Sequence, residues 1–205
     1  EMLGEGLTKK GAGEQFAQEK QYIRNMNASV ERLVELVEDI LNVSRIEQNR
    51  LPLEMTTFDL RPVLEEISQG YRILAEQKGL VFECEVPERL LVIGDGTRVK
   101  QIIVNLLSNA VKYTQKGKVE VLIKEEGSRV KITVADTGLG IGPEGLIHLF
   151  EKFYRVRTEA TATIAGTGLG LWISREIARK MGGDLIVESI EGVGSHFTLL
   201  LTKNQ

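Results

Sequence analysis

With 205 residues, 42% hydrophobic and 27% charged side chains and a net charge of −3, the chain has the make-up of a globular protein of one ordinary domain plus an appendage. The slightly acidic balance, with Lys and Arg scattered and no aromatic platforms among them, argues against a nucleic-acid partner, and no apolar run nears the roughly 20 residues that span a bilayer. Cys84 is the single cysteine, so no internal disulfide can form, which fits a reducing cytosol and a cytoplasmic location.

Residues 1–13 contain four glycines in a short polar stretch, which reads as a helix end followed by a turn. The start at Glu1-Met2-Leu3 points to a piece of a longer chain, so any membrane anchor is expected outside these residues. From Glu14 to about Glu47, Ile23, Met26, Val30, Leu33, Val37 and Ile40 follow a 3-4-3-4-3 spacing, the seam of a coiled coil or helical bundle. A helix this long with so wide an apolar stripe needs partners, and dimerisation through a four-helix bundle is the natural solution. Leu51-Pro52-Leu53 is expected to break the helix and to mark the boundary between residues 1–50 and 51–205.

Beyond it, 54–58 reads as a strand, Asp59 as an N-cap and 60–78 as a helix ended by Gly79. Strands are expected at 80–86 and 90–93, a helix at 97–113, and a hairpin of 119–125 with 129–135. A glycine-rich turn at 136–142 precedes a short helix at 143–152 and an irregular loop at 154–167. A helix at 169–181 and a hairpin of 184–189 with 195–201 close the chain. Hairpins mixed with segregated helices argue for an α+β fold, a mostly antiparallel sheet with helices on one face.

The helix at 97–113 carries Gln101, Asn105, Asn109 and Lys112 on one face, opposite Val99, Ile103, Leu106, Leu107 and Ala110. A solvated polar face is one reading. Asparagine is nonetheless a poor interior helix residue, and two of them one turn apart suggest oxygen ligands for a hard cation such as Mg²⁺, with Lys112 beside them for phosphate.

Asp136-Thr137-Gly138-Leu139-Gly140 puts a carboxylate at a strand end beside backbone without side chains, where a flat base with an exocyclic amine could be read. Asp-x-Gly is also a common turn, and the residues alone leave both open. Gly166-Thr167-Gly168-Leu169-Gly170 sits just ahead of a helix, whose first N–H groups make an anion site, or else forms a flexible loop. Between these runs, Phe150-Glu-Lys-Phe153-Tyr154-Arg155 and the small residues 158–165 read as a hinged lid. Neither a P-loop nor a Rossmann glycine pattern is present.

In this order and spacing the motifs resemble those of the sensor histidine kinases, within the GHKL superfamily that also holds gyrase, mismatch-repair and heat-shock chaperone ATPases. Gln101 to Thr114 resembles the asparagine box, Asp136–Gly140 and Gly166–Gly170 the two glycine boxes, and Phe150–Arg155 the phenylalanine box. The resemblance covers 54–202, while the heptad helix ending Ser44-Arg45-Ile46-Glu47 is similar to the second dimerisation helix.

The resemblance implies a two-layer sandwich of the Bergerat type, ATP and Mg²⁺ as cofactors, and phosphoryl transfer from ATP to a histidine and on to an aspartate of a response-regulator receiver domain. It implies that Asn109 is the main Mg²⁺ ligand, supported by Asn105. Lys112 and Arg155 would contact phosphates, Tyr113 would border the nucleotide and Asp136 would bind the adenine amine. Gly138, Gly140, Ile141, Gly166, Thr167, Gly168, Leu169 and Gly170 would line the nucleotide or free the lid. Such a site needs the amide side of 97–113 and the carboxylate of 136 around one space roofed by 154–170.

The family's acceptor histidine box has no match here. His148 and His196 lack its context, and the box is expected upstream of Glu1, so the chain would bind ATP without phosphorylating itself. A degenerate nucleotide-binding signalling module is the alternative. A chaperone- or gyrase-like ATPase would need a glutamate where Gln101 stands, and Gln101 cannot act as a general base.

Overall fold

The computed structural model describes the backbone of residues 2–162, 164 and 166–204, and side chains from residue 19 onward except those of 24, 28, 163, 165 and 205. The chain divides into two compact units, Glu1–Ser44 and Arg45–Gln205. Among the described residues no helix is long and apolar enough to cross a membrane.

The first unit is helical. Helix α1, Met2–Glu47, runs unbroken through Gly4, Gly6, Gly11 and Gly13, so the turn expected from those glycines is not formed. Isolated glycines cost a helix only about 1 kcal/mol each, which tolerates continuation. Ile23, Met26, Val30, Leu33, Val37 and Ile40 are all exposed, forming one apolar stripe along the helix.

The helix ends at Glu47, where the apolar spacing put it, and Asn49 rather than Pro52 makes the stop. Asn49 takes the left-handed conformation at φ 54. Its N–H bonds the carbonyl of Ile46 at 3.0 Å and that of Arg50 bonds Arg45 at 2.8 Å, a Schellman closure. Pro52 only follows a stop already made by Asn49.

The second unit is a seven-stranded sheet with helices packed on it. Its elements are β1 Thr56–Asp59, α2 Arg61–Gln77, β2 Val81–Cys84, β3 Leu91–Gly94, α3 Gly96–Tyr113, β4 Lys118–Glu126, β5 Arg129–Asp136, α4 Pro143–His148, α5 Gly170–Lys180, β6 Asp184–Ile190 and β7 Gly194–Lys203. The strand order is β1-β3-β7-β5-β4-β2, with β6 also paired to β7. Every pairing is antiparallel except that of β2 with β4. Val119 and Val121, Val130, Ile132 and Val134, and Phe197, Leu199 and Leu201 alternate along β4, β5 and β7 as the buried face. Opposite them lie Leu64 and Ile67 of α2, Val99, Ile103, Leu106 and Leu107 of α3, and Ile173 and Ile177 of α5.

Asp59 is not the N-cap of α2. That place falls to Leu60, whose side chain makes no cap bond. The Asp59 carboxylate instead accepts from the N–H groups of Arg61 and Leu90 at 3.0 and 3.1 Å, tying β1 to the start of β3. These bonds hold its carboxyl below the usual range. Asp95 does cap α3, accepting from the Arg98 N–H at 3.1 Å.

At the other end of α3, Lys78 donates to the carbonyls of Val111 and Lys112 at 2.6 and 3.1 Å, a cation on the negative end of the helix. Lys78→Met is expected to lower Tm by about 2 °C in calorimetry, because one such cap contributes a fraction of a kcal/mol. No change in Tm would remove this cap from the account.

Candidate functional site

The apolar face of α3 is fully used against the sheet, with Val99, Ile102, Ile103, Leu106 and Leu107 at most 1% exposed. Burying that face turns Gln101, Asn105, Asn109 and Lys112 the other way, and all four are half-buried. Gln101 is engaged locally, accepting from Arg98 Nη1 at 3.0 Å.

Asn105 faces α5. Its Nδ2 donates to Ser174 Oγ at 2.9 Å, and a Cβ added at Gly170 would lie 2.7 Å from its Oδ1. Asn109 Nδ2 in turn donates to Asn105 Oδ1 at 3.5 Å. Gly170 therefore lets the first turn of α5 approach Asn105 closely, and a side chain there would displace the Asn105 amide.

One turn later, a Cβ at Gly166 would sit 3.4 Å from Lys112 Nζ and 3.9 Å from Arg155 Nε. The Arg155 guanidinium donates to the carbonyl oxygens of Gly166, at 3.1 Å, and of Ile164. Two cations thus meet at the glycine run, and Arg155 spans the base of the loop. Lys112 also lies 5.7 Å from the centroid of the Tyr113 ring. Burial pushes the Tyr113 hydroxyl up, against the lowering effect of the nearby Arg155 charge.

Asp136 ends β5 beside the C-terminus of α3. Its Oδ1 accepts from the Gly138 N–H at 2.8 Å, and only 8% of the residue is exposed. Burial pushes its carboxyl up, opposed by backbone bonds from Gly138 and Ser195 and by His196. A Cβ at Gly138 would lie 2.6 Å from the Tyr113 carbonyl oxygen, 2.8 Å from Asp136 Oδ1 and 2.9 Å from Thr114 Oγ1. Three oxygens converge on this glycine. Gly140, at φ 62, passes close enough to the next hairpin that a Cβ would lie 2.0 Å from the Ile190 carbonyl oxygen. The N–H of Ile141 donates to Ser189 Oγ at 2.9 Å, and Ser189 pairs with Ser195 Oγ at 2.9 Å.

The segment between the glycine runs is tied at both ends. The Phe153 N–H bonds the Gly168 carbonyl at 3.0 Å, and Gly168, at φ 74, lies against the backbone of Phe153 and Tyr154. Thr167 Oγ1 accepts from the Leu169 N–H at 3.2 Å, and Leu169 is fully buried. Within the loop, Thr161 Oγ1 donates to the Val156 carbonyl at 2.8 Å and accepts from the Thr158 N–H at 2.8 Å. Thr163 and Ala165, part of the expected lid, lie outside the described residues.

Phe150 lies 4.4 Å under the Arg175 guanidinium, whereas Phe153, at φ 63, is 66% exposed. His148 pairs with Glu151 at 2.8 Å and lies 5.4 Å from the Tyr154 ring.

The structure thus makes two groupings, Asn105, Asn109, Lys112 and Arg155 with the second glycine run, and Asp136, Gly138 and Thr114 with the Tyr113 carbonyl. Lys112 and Tyr113, adjacent in sequence, join them. Among the described residues no cluster of three or more His, Cys, Asp or Glu side chains is placed to hold a metal ion.

Sequence reasoning missed Ser174, Ser189 and Ser195, and gave Thr114, at the end of the asparagine box, no role of its own. Ser174 stands four residues after Gly170, the same face of α5, and that spacing was the available signal. Thr114 Oγ1 is the buried side-chain oxygen without a hydrogen-bond partner among the described residues, which no sequence pattern announces.

A sheet backed by helices, with an asparagine face on one helix, a carboxylate at a strand end and two glycine runs packed against that helix and its C-terminus, belongs with the ATPase class related to the kinases, gyrases and chaperones. The family model described as histidine kinase-, DNA gyrase B-, and HSP90-like ATPase matches residues 94–205, and the chain belongs to this family.

It is 36% identical over 189 residues to the aerobic respiration control sensor protein ArcB of Escherichia coli K12, covering 90% of this chain and 24% of ArcB. It is 38% identical over 176 residues to the sensor histidine kinase RcsC of the same strain, covering 85% of this chain and 18% of RcsC. Among solved structures, full-length ShkA in complex with AMPPNP superposes with a TM-score of 0.76 at 29% identity, covering 90% of this chain and 39% of ShkA. The chain therefore spans about a quarter or less of the curated relatives named here.

Proposed function

We propose that this chain is the ATP-binding catalytic part of a sensor histidine kinase. Residues 51–205 bind ATP, and residues 1–50 are the later part of a dimerising helical hairpin. The γ-phosphoryl group passes to a histidine outside these residues, then to an aspartate on a response-regulator receiver domain. The observation that carries this reading is that the amide and cation face of α3 meets Gly166 and Gly170, while the C-terminal end of the same helix, at Tyr113 and Thr114, meets Asp136 and Gly138. The AMPPNP complex of ShkA and the kinase names of ArcB and RcsC support it.

The residues fit the groups they would hold. Asp136 accepts the exocyclic amine of adenine, and Gly138 lets the turn after it pack against Tyr113 and Thr114 so that this carboxylate is held in place. Lys112 and Arg155 balance phosphate charge. Asn109, supported by Asn105 beside it, offers a neutral amide oxygen for Mg²⁺, which favours a few protein oxygens together with phosphate and water. Bound there, Mg²⁺ supplies charge neutralisation at the phosphates. The rest of the task is positioning: α3 and the tied loop hold the phosphates in line and exclude water. The exposed stripe of α1 supports homodimerisation by bundle packing.

The test is calorimetric titration of ATP with and without Mg²⁺, followed by mixing with a separate dimerisation domain that carries an acceptor histidine. Saturable ATP binding and labelling of that histidine are expected, and Asn109→Ala abolishes detectable binding of Mg²⁺·ATP. Undiminished affinity in Asn109→Ala, or ATP binding without any transfer by the parent chain, contradicts the reading.

A further inference from the structure

We propose that Ser174 is a positioning residue for the metal end of this site, acting through Asn105 on the amide of Asn109. The proposal rests on the nucleotide reading above and assigns roles within it. An asparagine amide has a donating and an accepting end, and a site that needs the oxygen fails if the amide turns over.

The contacts fix that choice. Ser174, 3% exposed on α5, lies 2.9 Å from Asn105 Nδ2 and accepts its hydrogen bond. That bond sets Asn105 Oδ1 on the side of Gly170 and Asn109. There it accepts from Asn109 Nδ2 at 3.5 Å, and the backbone of Gly170 closes in, since a Cβ on that residue would lie only 2.7 Å from the oxygen. The oxygen of Asn105 is thus turned into the protein, with the nitrogen end of the Asn109 amide facing it at the outer limit of hydrogen-bond distance. Asn109 Oδ1 is left as the oxygen that can turn to a cation. The line runs from Ser174 through Asn105 to Asn109, three side chains from two helices. Gly170 and Ser174, four residues apart on one face of α5, supply the close approach and the acceptor together.

The test uses this chain with two variants, Ser174→Cys, which keeps the volume but offers a weak acceptor, and Ser174→Ala, which offers none. ATP binding is titrated against Mg²⁺, and separately in EDTA. Both variants are expected to raise the Mg²⁺ concentration for half-maximal binding about five- to tenfold, the worth of one buried hydrogen bond, while metal-free ATP affinity stays within about twofold of the parent. In an Asn105→Ala background the same substitutions should change nothing further.

An unchanged Mg²⁺ requirement, equal loss with and without metal, an effect of Ala but not of Cys, or full persistence of the effect in Asn105→Ala would each overturn the proposal. A parent chain that binds ATP in neither arm overturns the nucleotide reading itself, and this proposal with it.

Discussion

Asp136→Ala lowers ATP affinity by about 100-fold or more in calorimetry, taking binding below detection. The carboxylate is held in place by the Gly138 and Ser195 backbone rather than by a salt bridge, so its accepting power is directed at whatever lies beyond. On the proposed reading, losing a charge-assisted hydrogen bond in a buried site costs about 1.5–3 kcal/mol, and the vacated volume would remove contact with the base as well. An affinity within a few-fold of the parent would show that the base is read elsewhere.

Asp136→Asn separates binding from stability. Burial raises the carboxyl above its unfolded value, so the folded state holds this proton more tightly than the unfolded state. The stabilising effect of protonation is complete below the unfolded value, 3.8, and disappears as pH rises through the higher folded value. At neutral pH the native state therefore bears the cost of a buried charge. An amide in place of the carboxylate would keep the acceptor for Gly138 without that charge. Asp136→Asn is expected to bind ATP poorly yet melt at or above the parent at pH 7, with the difference closing as pH falls towards the ordinary carboxyl range. A variant that melts well below the parent at pH 7 would contradict this.

The second large effect is expected at Gly140. Its φ of 62 disfavours any side chain, and an alanine Cβ would stand 2.0 Å from the Ile190 carbonyl oxygen, backbone against backbone. Neither segment can yield alone, because Gly192 N–H bonds the Leu139 carbonyl at 2.8 Å and Ile141 is tied to Ser189. Gly140→Ala should cost about 3 kcal/mol and lower Tm by about 6–12 °C, with ATP binding weakened in proportion to the displaced 136–142 turn. Gly127→Ala is the control: φ is 58 there too, but nothing lies within 4 Å of the added carbon. Only the conformational cost of about 1 kcal/mol applies. Equal losses in the two variants would show that the contact with Ile190 does not matter.

Much of this was readable beforehand because it is periodic or local. Val99, Ile103, Leu106, Leu107 and Ala110 recur at helical spacing, and all five are buried where that spacing puts them. The alternation in β4, β5 and β7 marked strands for the same reason. Ends were less legible. Asn49 stops α1 by taking a left-handed conformation that asparagine accepts, while the more conspicuous Pro52 comes too late to matter. Asp59 looked like a cap, but the neighbouring strand brought the Leu90 N–H to it, and the carboxylate went to bridging. In both places a local rule lost to a partner that local sequence does not reveal.

By itself, then, the sequence determined which faces are apolar, where the asparagine and glycine motifs fall, and so the family. Tertiary structure decided the rest: that β7 stands between β3 and β5 while also pairing β6, that β2 runs parallel to β4, and that Ser174 meets Asn105 across 69 residues of chain. Periodicity records a preference for a side of a helix or strand, summed over many residues. The direction of one hydrogen bond depends on a few atoms from distant segments, and only the packed chain brings them together.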